Sequence, residues 1–200
     1  MTNIILYHAN CLDGLAAAVI TAEATKTPFE NCLAVQYNRP PPYEFIEQIN
    51  PDAIYIVDFS YPEDDLIDLA EFTSTIVIDH HKTCPLNTTH KNLSIIFDLN
   101  ESGASLCYNH FHPDTNLPHT IQLVKDRDLW THAHEETRPA TMAMYLILAK
   151  PPIDQLHQMT HWIPIEEGAA MVTFQIKIAA RTAHYVRLPH RSSPSTPRRL

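Results

Sequence analysis

Apolar residues in the first part of this chain gather into short unbroken runs. The clearest are residues 3–7 (NIILY), Ala53–Val57 (AIYIV), residues 75–78 (TIVI) and Leu93–Phe97 (LSIIF). A strand wetted on one face would alternate apolar with polar, so continuous Ile/Val runs predict strands buried on both faces. Residues 33–37 (LAVQY) form a weaker run, ended by the Arg-Pro-Pro-Pro stretch at 39–42, where proline removes donors and fixes the backbone. Between the runs lie stretches of helical character. They are residues 13–26, rich in alanine and opened by Asp-Gly, Tyr43–Ile49, residues 62–72 with a proline at the first turn, and residues 102–111.

Strands alternating with helices predict an α/β fold: a Rossmann-like, mostly parallel five-stranded sheet with helices on both faces. A helical C-terminal segment follows, read at 121–125, 140–148 and 166–184. Residues 187–200 then carry four Arg, three Pro, three Ser and no acidic residue, which predicts a disordered basic tail. The expected organisation is an α/β domain over 1–135, a helical connecting segment over 136–186, and the tail over 187–200.

Composition narrows the field. A hydrophobic fraction of 44% supports a true core. A net charge of −9 argues against a broad basic face for nucleic acid, although bound cations can reverse the local field around phosphates. Cys11, Cys32, Cys84 and Cys107 form no CxxC pair, so reduced thiols are expected. No apolar run is long enough to span a bilayer and no signal-like start is visible, so the expected localisation is cytoplasmic.

In parallel sheets, ligands collect beyond the carboxyl ends of the strands. Three polar groups stand there: His8 after the first run, Asp58 after IYIV, and Asp79-His80-His81 after TIVI. Asp13 opens a helix in CLDG, and Asp126 lies in VKDRDLW. Each has an ordinary reading. Asp13 and Asp58 suit helix caps, and Asp126 suits a surface charge paired with Lys125 or Arg127. Five such residues at one sheet edge point instead to a metal centre. Carboxylates with imidazoles suit manganese, iron or zinc, and the hard oxygens favour manganese or magnesium, so the expected ion is manganese, with magnesium or cobalt as alternatives. Trp130 and Trp162 are expected as core anchors, and His110, His112, His132 and His134 as surface residues.

In the order YHANCLDGLAAA, IYIVDFSYP, VIDHHKT, SGAS and VKDRDLW, the chain resembles the DHH phosphoesterase superfamily over residues 1–135. That superfamily includes RecJ-like exonucleases, oligoribonucleases, cyclic-dinucleotide phosphodiesterases and family II pyrophosphatases. The resemblance implies that His8 ligates one metal, that Asp58 bridges two, and that Asp13, His80 and Asp126 ligate the second. It implies His81 beside the scissile phosphate, Asp79 orienting the histidines, and Ser102 and Gly103 opening a helix toward substrate phosphate. The implied activity is hydrolysis of a phosphodiester or phosphoanhydride by metal-activated water. The substrate would be a phosphate-containing small molecule or short single-stranded nucleic acid, with no membrane partner. The alternative is a catalytically weak metal- or nucleotide-binding protein of the same fold.

Two departures stand out. The family's first motif carries two aspartates, and here Asn10 and Cys11 stand where the first would fall, so the first metal site is expected to be the weaker. The family's glycine-rich C-terminal substrate domain is also unmatched, since the only glycines are Gly14, Gly103 and Gly168. That domain is expected to be missing or truncated.

Overall fold

The Ile/Val runs become five strands in a computed structural model that describes residues 1–160. The expected helix at 166–184, Trp162 and the tail at 187–200 lie outside the described residues. The strands are β1 (Asn3–His8), β2 (Cys32–Val35), β3 (Ala53–Val57), β4 (Ser74–Asp79) and β5 (Leu93–Phe97). They pair in parallel throughout, in the order β2-β1-β3-β4-β5. The helices among the described residues are α1 (Leu12–Thr25), α2 (Tyr43–Ile49), α3 (Glu63–Phe72), α4 (Gly103–Phe111), α5 (His119–Asp128), α6 (Thr137–Tyr145) and α7 (Pro152–Met159). None is long and apolar enough to cross a membrane.

Strand alternation divides the core into two layers. In β1, Ile4 and Leu6 pack with Ile46 of α2 and with Leu66 and Leu69 of α3. Ile5 and Tyr7 point the other way, into a layer built by α1, α4, α5, α6 and α7. Ile54 and Ile56 of β3 and Val77 of β4 join the first layer, while Val57 and Ile78 join the second. Each fully buried Ile contributes about 1.5–3 kcal/mol. The side chains of α1 are buried from Leu12 to Ala22, and its alanines let it sit close over the sheet.

From β1 the chain crosses through α1, on one face, to β2. From β2 it returns through α2, on the opposite face, past β1 to β3. The two connections part between β1 and β3, which opens a crevice at the carboxyl ends of those strands. His8 and Asp58 stand at that point.

The weaker run ends earlier than the pattern predicts. β1 pairs its last residue, His8, with Val35, so Gln36 and Tyr37 have no ladder to join and leave the sheet. β4 instead runs one residue further, pairing Asp79 with Phe97.

Candidate metal centre

Asp58 leaves β3 with a left-handed φ of 54°, and its backbone N–H still donates to the Ile78 carbonyl at 2.9 Å. That turn folds a wholly buried carboxylate into the crevice. Two glycines make the space. A Cβ at Gly103 would lie 2.5 Å from Asp58 Cβ, and one at Gly14 would lie 2.6 Å from the His8 carbonyl and 3.0 Å from Asp58 Oδ2.

Imidazoles surround this carboxylate. Asp58 Oδ1 lies 3.1 Å from His80 Nε2, and Oδ2 lies 3.7 Å from His8 Nδ1, beyond hydrogen-bonding range. His8 Nδ1 and Asp58 Oδ2 are both buried without a hydrogen-bond partner. Leaving such atoms unpaired is costly, and a cation between them would satisfy both. Burial pushes the Asp58 pKa up, but the facing imidazoles of His8, His80 and His81 outweigh it and hold the carboxyl well below the usual range.

His80 Nε2 also lies 3.4 Å from Asp128 Oδ2 and 3.9 Å from Asp13 Oδ2. Three sets of ligating atoms fall within 4.8 Å of one another: His8, Cys11 and Asp58; Asp58, His80 and His81; and Asp13, His80 and Asp128. Asp58 and His80 each belong to two sets. His110, His112, His132 and His134 belong to none of these. The Asp13 and Asp128 carboxyls are pushed up, by burial first and then by repulsion from Asp58 and, for Asp13, from Asp128. A divalent cation relieves that repulsion. The donor set of carboxylate oxygens and imidazole nitrogens therefore fits such an ion.

Asp79 organises the two histidines. Its Oδ1 accepts from the backbone N–H of His80 at 2.8 Å and of His81 at 3.2 Å, and meets His81 Nδ1 at 2.7 Å. That hydrogen bond raises the His81 pKa against the opposing effect of burial. His81 also stands edge-on to His8 and to Tyr37, with ring centroids 5.9 Å and 6.1 Å away.

Two expected site assignments meet other partners in the structure. Asp126 does not join the cluster. It is buried, and its carboxylate accepts from the Thr131 and Thr137 hydroxyls and from the backbone N–H groups of Ala133, at 2.7 Å, and His134, at 3.3 Å. Burial pushes its pKa up, but these four donors outweigh it and hold the carboxyl well below the usual range. Asp128, two residues on, stands beside His80 instead. Residues two apart face opposite sides of a helix, so only one can reach the crevice. Ser102 and Gly103, expected at substrate phosphate, face a carboxylate already present. The Ser102 hydroxyl donates to Asp13 at 2.7 Å, and the N–H groups of Gly103 and Ala104 donate to it at 2.5 and 3.1 Å. Asp13 thus occupies the anion site at the α4 N-terminus.

Asp128, Cys11 as a member of a ligating set, and Tyr37 were not assigned by sequence reasoning. A signal for Asp128 exists, because Ile121, Val124 and Asp128 follow i, i+3, i+7 spacing along α5, and the first two are buried. Asp126 shares a second buried stripe with Leu123, so periodicity alone does not choose between them.

No family model matches the chain. A protein of Acanthamoeba polyphaga mimivirus is 31% identical to it over 147 residues, covering 68% of this chain. The chain spans 35% of that relative's length. Among solved structures, a RecJ exonuclease bound to manganese is similar with TM-score 0.44 and 12% identity, covering 92% of this chain and 62% of that one. RecJ from Thermus thermophilus in complex with Mn2+ gives TM-score 0.41 and 14% identity, covering 92% of this chain and 35% of that one. CDC45 from Entamoeba histolytica gives TM-score 0.36 and 16% identity, covering 92% of this chain and 34% of that one.

Proposed function

We propose that this chain is a metal-dependent phosphoesterase that hydrolyses a phosphodiester or phosphoanhydride of a short oligonucleotide or dinucleotide. The observation that carries the reading is the buried, partnerless pair of His8 Nδ1 and Asp58 Oδ2, set among Asp13, His80 and Asp128 where the strand order reverses. His8, Cys11 and Asp58 would hold one divalent cation, and Asp13, Asp58, His80 and Asp128 a second. Such cations, manganese foremost for this donor set, supply an activated water and neutralise phosphoryl oxygens when bound.

The remaining residues act around that centre. Asp79 fixes the His81 ring and favours its protonated form, which suits it to hold the scissile phosphate or to give a proton to the departing oxygen. Ser102 and Gly103 act on Asp13 rather than on substrate, setting its carboxylate against His80. Tyr37 and Phe59, with ring centroids 4.7 Å apart, wall the crevice beside His8.

A second reading, a metal- or nucleotide-binding protein with little turnover, is favoured by Cys11 standing where a carboxylate is expected. Metal analysis of the purified protein and hydrolysis of diadenylate with manganese, magnesium or cobalt separate the two. The enzyme reading expects manganese-dependent cleavage, reduced about a hundredfold or more in Asp58→Asn. Bound metal without turnover supports the second reading, and neither metal nor turnover defeats both.

A further inference from the structure

Trp130, expected in the core, is 70% exposed. It follows α5 directly, and its backbone is left-handed at φ 57°, as is that of His132 at φ 50°. A bulky residue in that region is strained, and such strain is retained mainly where surrounding structure enforces it at functional sites. The Arg127 guanidinium lies over the indole, 4.4 Å from its centroid, and the His132 ring stands edge-on at 5.6 Å. These neighbours fix the ring while leaving most of its surface open.

The indole borders two adjoining hollows. A cavity of about 370 Å³ is lined by Arg127, Trp130, His132, Arg138 and Tyr145 among others. A narrower one of about 80 Å³ shares Arg127, Trp130 and Tyr145 with it and reaches Cys11, Asp13 and Asp128. The cleft therefore runs from the carboxylate–imidazole cluster to an exposed indole. Its far end carries two arginines in a chain of net charge −9. Neither arginine takes part in the ion pairs found among the described residues.

We propose that this cavity is a nucleobase subsite, in which Trp130 stacks the base of a nucleotide whose phosphate lies at the metal cluster, and Arg138 meets a neighbouring phosphate. The inference rests on the function proposed above and specifies its substrate class. A flat aromatic surface flanked by guanidinium groups is the chemistry that holds single-stranded nucleotides without reading base edges. It places recognition on the α5–α6 connection of this domain.

The test is calorimetric binding, with manganese present, of diadenylate joined by a non-hydrolysable methylenephosphonate, compared with the same backbone lacking bases. The native protein should bind the base-bearing ligand about tenfold or more tightly than the abasic one, the scale of one stacked base. Trp130→Ala should remove most of that preference, and Trp130→Phe should keep it. Arg138→Gln should weaken both ligands alike. A native protein with no preference, or a Trp130→Ala variant that keeps it, overturns the proposal. So does a native dimer that Trp130→Ala converts to monomer while base preference is absent, since the face would then join copies of the chain. Manganese binding without base preference defeats this subsite alone. Base preference without manganese binding defeats the metal-centre reading and the placement of the phosphate there, and leaves base stacking on Trp130 standing.

Discussion

Cys11 is half-buried beside Asp58 and Asp13, and burial with those two charges pushes its thiol pKa up, so it stays protonated until a cation displaces the proton. Cobalt added to the native protein should give sulfur-to-cobalt charge-transfer absorption in the near ultraviolet. Cys11→Ser should lose it, while Cys84→Ser should not. A cobalt complex without that absorption would remove Cys11 from the ligand set. Asp126 plays a different part, as a structural acceptor for two hydroxyls and two backbone N–H groups. Asp126→Ala strands those donors and should cost about 3 kcal/mol in urea unfolding at neutral pH. Its folded pKa lies below the unfolded value, so its stabilisation is full above the unfolded pKa of about 4 and fades as pH falls below that value. The stability gap between native protein and Asp126→Asn should therefore narrow on acidification from neutral pH. A constant gap would mean that the carboxylate charge contributes nothing.

Whole elements explain which of these atoms meet. The Ile/Val runs made β1, β3, β4 and β5 legible in sequence, because a strand covered on both faces leaves a continuous apolar signature, while the weaker run at β2 gave the strand but not its end. They also made His8, Asp58 and His80 legible as a group, since His8 closes β1 and the other two directly follow β3 and β4. The helical end of the site was harder. In α5 both faces are covered, so Asp126 and Asp128 sit on equally apolar stripes, and the tertiary partners Thr131, Thr137 and His80 decide their roles. Tyr37 was obscured for a related reason, because the length of β2 depends on where β1 ends. Gly103 shows an element constrained by a neighbour. Gly→Ala inside a helix ordinarily gains roughly 0.5–1 kcal/mol. Here the new methyl would press on Asp58, 2.5 Å from its Cβ. Gly103→Ala should instead lower the melting temperature and weaken manganese binding in a calorimetric titration. A stabilised variant with unchanged metal affinity would show that α4 can retreat from the crevice.

Across the whole molecule, the doubly wound sheet concentrates negative charge at its own switch point. Asp13, Asp58 and Asp128 crowd one buried corner, and burial and mutual repulsion push two of the three carboxyls above their ordinary range. Without cations the repulsion among those carboxylates works against folding, and bound cations would join β1, β3, β4, α1 and α5 through shared ligands. Metal should therefore act as a folding ligand as well as a cofactor. At a hundred times its Kd, manganese should add about 2.7 kcal/mol to unfolding free energy. For a chain of this size that corresponds to a rise of roughly 5–10 °C in melting temperature. Asp58→Asn keeps the shape of the side chain and removes a charge that repels Asp13 and Asp128 but attracts the facing imidazoles. The two effects offset, so its metal-free melting temperature should stay within about 4 °C of native, as for a change near 1 kcal/mol. Its manganese-induced rise should nearly vanish, because Asp58 serves two ligating sets. Scanning calorimetry of both proteins in chelator and across a manganese titration measures all four quantities. An equal rise in native and variant would mean that the cation binds elsewhere, and the catalytic reading of the crevice would lose its foundation.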